Sequence, residues 1–289
     1  MFDLIFRGAH VFDGCGGPPR TADVGIRGDR IAAIGSLPSE SARRVVDARG
    51  RMLCPGFIDV HTHADFGVLS APDAFNYIAQ GVTTVVGGNC GSSAAPCPGP
   101  TAAGASDSES EMFHWRSVGE YRASVELARP AVNVILLAGH NTIREAVLGA
   151  ASRRADAEDL HRMQRMLAAA LEEGAWGLST GLIYSPGCFA DRDEIIALAR
   201  TTASYGGLYA THLRSESAAL LEALEEAMQI GAMADIRVQI SHLKAAGRPN
   251  WPLLGRAIER LERAISAGRR VAADRYPCLL YTSPSPRDS

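Results

Sequence analysis

Residues 55–63 read PGFIDVHTH, a short apolar run that ends in two histidines one residue apart. In an extended segment, residues two apart project to the same side, so the imidazoles of His61 and His63 can share one metal ion. For this pair alone, two surface histidines placed there by chance are the alternative. The stretch also separates two regions of the chain whose elements are spaced differently.

On either side of this stretch, the spacing of apolar runs and turn residues predicts two kinds of structure. Residues 1–54 alternate short β-branched or apolar runs with Asp-Gly and Gly-Asp steps, which indicates hairpins and a small N-terminal β-sandwich subdomain. From residue 55 onward, strands alternate with longer helical segments, a pattern typical of βα repeats and a parallel sheet. The predicted strands cover residues 56–60, 83–87, 133–138, 174–179, 208–211, 237–240 and 270–273.

These strands predict an α/β fold of the (β/α)₈ TIM-like barrel type over residues 55–277, one strand short of closure and therefore incomplete at the C-terminus. Residues 278–289 break from the βα pattern, and residues 278–288 match the translation of a transposase adapter used in sequencing libraries. A natural Pro/Ser-rich tail is the alternative. We expect a non-native tail here and a natural protein that continued beyond Pro277.

Composition excludes several classes of protein. Of the 289 residues, 46% are hydrophobic, and the formal net charge of −3 lacks the basic excess that attracts nucleic acid. The chain has no apolar run of membrane-spanning length, and its N-terminus has no signal-peptide pattern. We therefore expect a cytoplasmic protein with neither a membrane nor a nucleic acid as partner.

Further metal-ligating side chains follow other predicted strands. Cys90 follows the second strand, His212 ends the fifth and His242 ends the sixth. Because the carboxyl ends of barrel strands converge on one rim, these side chains are expected to lie together with His61 and His63. Thiolate sulfur combined with imidazole nitrogen favours Zn²⁺ among the common ions. Unrelated buried or exposed residues are the alternative.

Several motifs in the same order resemble the N-acyl-D-amino-acid deacylase (D-aminoacylase) family of the amidohydrolase superfamily, from about residue 2 to residue 277. Besides residues 55–63, these motifs are GNCG at 88–91, GHNTIR at 139–144, GLSTGLIYSPG at 177–187, THLRSE at 211–216 and SHLK at 241–244.

The resemblance implies one or two Zn²⁺ ions and a small-molecule substrate. It places Cys90, His212 and His242 on the tightly held zinc, and His61 and His63 on a weaker neighbouring site. The family's carboxylate-binding tyrosine and lysine correspond to Tyr184 and Lys244. The implied reaction is hydrolysis of the amide bond of an N-acyl-D-amino acid, which releases a D-amino acid and a carboxylate.

One catalytic part of the family pattern is missing from this chain. The family's general base is an aspartate after the eighth strand, and neither Asp59, Asp65 nor Asp274 matches that position. The catalytic residue is therefore unassigned, and we expect the 289-residue chain to show little or no deacylase activity.

Two other functions remain open at this point. One is a dihydroorotase-like or other cyclic-amide hydrolase. A carboxylated lysine near the fourth strand would favour this function, but residues 176–180 contain no lysine. The other is a catalytically inactive metal-binding protein or fragment.

Overall fold

The structure is a computed structural model that describes residues 1–38, 41–97, 115–149 and 151–276. The chain divides into two compact units, Met1–Phe57 and Ile58–Ser289. The predicted tail at residues 278–289 lies outside the described residues. No helix in the described ranges has the length and apolar character needed to cross a membrane.

The first unit contains one mixed sheet. Its strands are β1 (Phe2–Val11), β2 (Arg20–Arg27), β3 (Arg30–Gly35), β4 (Ala42–Asp47) and β5 (Met52–Leu53). The order is β3-β2-β1-β4, with β5 also paired to β1, and β1 to β3 run antiparallel as the hairpin pattern predicts. A sandwich has two sheets. The described residues of this unit form a single sheet, so the second sheet of the sandwich stays a prediction.

The second unit alternates parallel strands with helices. Its strands are β6 (Phe57–Asp59), which starts at the last residue of the first unit, β7 (Val82–Gly87), β8 (Asn133–Leu136), β9 (Ala138–Gly139), β10 (Gly177–Gly181), β11 (Leu208–His212), β12 (Arg237–Ile240) and β13 (Val271–Ala273). Its α-helices are α1 (Gly67–Ser70), α2 (Phe75–Ile78), α3 (Val118–Ala128), α4 (His140–Leu148), α5 (Ala157–Glu172), α6 (Arg192–Ser204), α7 (Leu220–Ala234) and α8 (Pro252–Ser266). The predicted α/β class is confirmed.

The strands of this unit lie side by side in chain order, in two sheets. One has the order β6-β7-β8 and the other β9-β10-β11-β12-β13. The third predicted strand, residues 133–138, is divided between them at Leu137, whose amide donates to the carbonyl of Gly87. A Cβ on Gly88 would collide with the Leu137 carbonyl, so this close approach requires glycine. The fourth strand begins at Gly177 rather than at residue 174, because the chain is still turning out of helix α5.

Local sequence signals explain where the helices begin and what they pack against. Asp156 caps α5 in a reciprocal capping box with Asp159, as its position before the apolar periodicity predicts. Fully buried residues such as Met163, Leu167 and Leu198 face the sheet from α5 and α6. The helices therefore cover the strands and leave the carboxyl ends of the strands for polar side chains.

Candidate metal centre

The five predicted metal-ligating residues lie together at the carboxyl ends of the strands. They form two groups that share Cys90, one with His61 and His63 and the other with His212 and His242. Within each group the ligand atoms lie within 4.8 Å of one another. Sγ of Cys90 lies 3.3 Å from Nε2 of His61 and 3.4 Å from Nε2 of His242. One thiol thus sits where two neighbouring ions could share it.

The backbone at two of these residues is unusual. Cys90 has a φ of 54° and His242 a φ of 37°, in the left-handed region that residues with a Cβ rarely adopt. Such conformations cost of order 1–3 kcal/mol and persist where the surrounding structure holds them. At Cys90, the turn aims the thiol towards the histidines. Among the described residues, Ala74, Arg129 and Asp235 also have a positive φ outside the cluster, so the conformation by itself does not mark a ligand.

The donor atoms fit a metal ion that prefers nitrogen and sulfur. His212 and His242 are buried, and Nδ1 and Nε2 of His212 have no hydrogen-bond partner among the described residues. Burial lowers the pKa of His212 to about 3, with nearby positive groups adding to the shift and Glu216 opposing it. Burial keeps the His212 imidazole neutral, so one of its two unsatisfied nitrogens can bind a metal while the other carries the proton.

Two carboxylates contact the outer nitrogens of the histidines that face Cys90. Oδ1 of Asp274 lies 3.2 Å from Nδ1 of His61, and Oε1 of Glu216 lies 2.9 Å from Nδ1 of His242. The Asp274 carboxylate also accepts a hydrogen bond from the backbone N–H of His242. A carboxylate behind a ligating histidine sets the orientation of the ring and strengthens it as a ligand.

Asp274 is therefore expected to support metal binding through His61. In the Asp274→Asn variant, an amide oxygen can still accept from the His242 N–H, but the negative charge beside His61 is lost. We expect zinc affinity to fall roughly tenfold, measured by competition with a chromophoric chelator. Asp193→Asn, an exposed change on α6, is the matched control. Affinities of the two variants within twofold of each other would contradict this role.

A third carboxylate braces the segment that carries Cys90. Oδ1 of Asp65 accepts from the backbone N–H of Gly88 at 2.9 Å, and Oδ2 accepts from that of Ala94 at 3.0 Å. Burial raises the pKa of Asp65, while these hydrogen bonds act in the opposite direction. Because Asp65 follows His63 by two residues, it links the first and second strand ends of the cluster.

The two predicted substrate-binding residues lie beside the histidines. The ring of Tyr184 packs edge-on against His212, with 4.8 Å between the ring centroids. Nζ of Lys244 donates to Oε1 of Glu216 at 2.7 Å and lies 5.3 Å from the centroid of the Tyr276 ring. A phenol and an ammonium thus flank the candidate metal ligands, and an ammonium can form a charge-assisted hydrogen bond with an anionic group.

Two contacts of this site were not predicted from the sequence. Glu216 belongs to the THLRSE motif, which by itself predicts no role for it, and Asp274 does not match the position of the family's general base. Glu216 follows His212 by four residues, and Asp274 directly follows β13. A carboxylate that directly follows a strand, or lies within a few residues of a ligand, is the signal that could have identified both.

Comparison with known proteins assigns the chain to a family. Residues 44–246 match the family model described as the amidohydrolase family. The chain belongs to the amidohydrolase family. This amidohydrolase is 42% identical to N-acyl-D-glutamate deacylase and 41% identical to D-aminoacylase, both of Alcaligenes xylosoxydans xylosoxydans. The alignments cover 95% and 96% of the chain, and 57% of each relative.

Solved structures show the same similarity. A crystal structure of D-aminoacylase matches the amidohydrolase described here with a TM-score of 0.91 and 41% identity, over 96% of this chain and 59% of the other. N-acyl-D-glutamate deacylase from Bordetella bronchiseptica, complexed with zinc and a phosphonate inhibitor, matches with a TM-score of 0.87 and 38% identity, over the same shares of the two chains. The predicted resemblance to the deacylases is confirmed, and the chain spans a little over half the length of these relatives.

Proposed function

We propose that this protein is a zinc-dependent hydrolase that cleaves the amide bond of N-acyl-D-amino acids and releases a D-amino acid and a carboxylate. The observation that carries the proposal is the set of His61, His63, Cys90, His212 and His242 gathered at one rim. The similarity to deacylases along 95% of the chain supports the same reaction. The proposal includes three further predictions, namely a (β/α)₈ barrel, a domain boundary between residues 54 and 55, and a cytoplasmic location.

In this proposal Cys90, His212 and His242 hold one zinc ion, with His61 and His63 on a neighbouring position. Zinc, when bound, acidifies water and polarises a carbonyl group, which are the two demands of amide hydrolysis. Lys244 and Tyr184 orient the substrate by binding its α-carboxylate, which keeps the scissile amide beside the histidines. Relatives named for D-glutamate and D-aspartate make acidic N-acyl-D-amino acids the first substrates to test.

The alternatives make different demands on the site. A dihydroorotase-like enzyme would use a carboxylated lysine near the fourth strand, but β10 reads GLSTG and supplies none. Cys90 occupies the place between the two histidine groups instead. An inactive metal-binding protein would take up zinc without turnover, which the experiment below distinguishes.

The test compares two proteins, the 289-residue chain and the protein encoded by the corresponding reading frame in genomic DNA. Each is loaded with zinc and incubated with the N-acetyl derivatives of D-glutamate, D-aspartate and D-methionine and with their L-enantiomers as controls. We expect the protein from the genomic reading frame to release the D-amino acids and the 289-residue chain to show little turnover. Zinc uptake by the genomic protein without release of any D-amino acid would refute the deacylase proposal.

A further inference from the structure

One carboxylate oxygen joins the metal-ligating and anion-binding parts of the candidate site. Oε1 of Glu216 accepts a hydrogen bond from Nζ of Lys244 at 2.7 Å and lies 2.9 Å from Nδ1 of His242. Oε2 of the same residue lies 3.6 Å from Nε2 of His212. Glu216 thus lies beside two proposed ligands of the same zinc ion and beside the lysine proposed to bind the substrate.

The surroundings of Glu216 make it suited to this position. Its side chain is only 11% exposed, and the neighbouring Ala246 N–H donates to its backbone carbonyl at 2.7 Å. Its carboxylate oxygens face His212, His242 and Lys244. These contacts hold the carboxylate in place.

The tautomer of His242 depends on this contact. Nε2 of His242 faces Cys90, so a metal ion there requires Nε2 to be deprotonated and Nδ1 to carry the proton. The second neighbour of Nδ1 is Nζ of Lys244 at 3.0 Å, and an ammonium can only donate. Glu216 supplies the acceptor that an Nδ1 proton needs, and it draws the ammonium towards its own oxygen.

We infer that Glu216 is a positioning residue that holds His242 in the metal-binding tautomer and at the same time places Lys244 beside the metal centre. One oxygen then couples zinc binding to the orientation of the substrate carboxylate. The role of Lys244 in this inference rests on the proposed function, whereas the effect on His242 concerns metal binding alone.

The test measures metal binding without substrate, so its outcome is separate from that of the deacylase assay. Zinc affinity of the chain is determined by chelator competition for Glu216→Ala, Glu216→Gln and Glu222→Ala, an exposed control in the first turn of α7. We expect Glu216→Ala to weaken zinc binding 10- to 100-fold, Glu216→Gln to lie between it and the parent, and Glu222→Ala to match the parent. Glu216→Gln keeps an acceptor oxygen, so it still tests the inference if the alanine variant does not fold.

Two further measurements separate positioning from a general structural role. Imidazole nitrogen NMR of the metal-free chain is expected to show His242 mainly as the Nδ1–H tautomer, and Glu216→Ala should shift it towards the Nε2–H tautomer, because only the Lys244 ammonium then faces Nδ1. Lys244→Met is expected to bind zinc no more weakly than the parent, because His242 keeps its acceptor. The inference is overturned if Glu216→Ala and Glu216→Gln bind zinc within twofold of the parent, or if Lys244→Met weakens binding as much as Glu216→Ala does.

Discussion

Replacing Cys90 with alanine is expected to weaken zinc binding on the order of 100-fold or more. Cys90 is shared by both groups of candidate ligands, so its loss reduces each of them to two histidines. Four-ligand zinc sites are worth about 10–16 kcal/mol, or roughly 3 kcal/mol for each ligand, which corresponds to a factor of about 100 in affinity. Chelator competition measures the change directly.

The matched control for this variant is Cys54→Ala. Cys54 is an exposed free thiol outside the cluster, so its removal should leave zinc affinity unchanged. Cobalt substitution gives a second readout, because a thiolate ligand produces a near-ultraviolet charge-transfer band that should disappear in Cys90→Ala only. Equal zinc affinity in both variants would show that the thiol is not a ligand.

Glu194→Ala is expected to lower the free energy of unfolding by about 3–5 kcal/mol. Oε1 of Glu194 lies 2.8 Å from Nε2 of His140 and accepts from Nε of Arg144 at 3.0 Å. All three side chains are almost completely buried, with exposures of 0% for His140 and Arg144 and 4% for Glu194. Removing the carboxylate leaves a buried guanidinium without its charge partner, which is far more costly than losing a surface ion pair.

Urea unfolding of the parent, Glu194→Ala, Glu194→Gln and the exposed control Glu222→Ala checks this prediction. The glutamine keeps a neutral acceptor and should lose less stability than the alanine, while the control should stay within about 0.5 kcal/mol of the parent. A loss below 1 kcal/mol in Glu194→Ala would contradict the role of the pair.

The same pair predicts how stability changes with pH. Burial raises the pKa of Glu194, but the contacts with His140 and Arg144 outweigh it and hold the pKa below its ordinary value. A carboxyl with a depressed pKa in the folded state binds protons more weakly than in the unfolded state. Its contribution is therefore complete above the unfolded pKa and is lost as the pH falls through the folded value. Glu194→Gln should lack this part of the acid dependence.

Part of the site could be predicted from the chain alone because its signals are local. A histidine or cysteine just after an apolar strand can be recognised from a short stretch of sequence, as at His61, Cys90 and His242. The rule that parallel strands present their carboxyl ends on one side then predicts that such residues meet. The structure brings all five together, although their function as ligands stays a proposal.

The parts that could not be predicted depend on contacts between distant segments. The position of Glu216 four residues after His212 could mark it as part of the site. It does not predict that one oxygen lies beside both Lys244 and His242, since those contacts span more than twenty residues. Asp274 reaches His61 across more than two hundred residues. The division of the third strand at Leu137 likewise depends on how closely its carbonyl approaches Gly88.

The sequence by itself determined the α/β class, the chain order of the strands and the types of donor atom at their ends, because each depends on periodicity and on neighbouring residues. Only the tertiary structure decided which carboxylate supports which histidine and how the thiol of Cys90 is aimed. Those features arise when the packing of strands and helices forces distant polar groups into one buried volume. Inside that volume each buried polar group needs a hydrogen-bond partner, and the fold determines which side chains lie close enough to provide one.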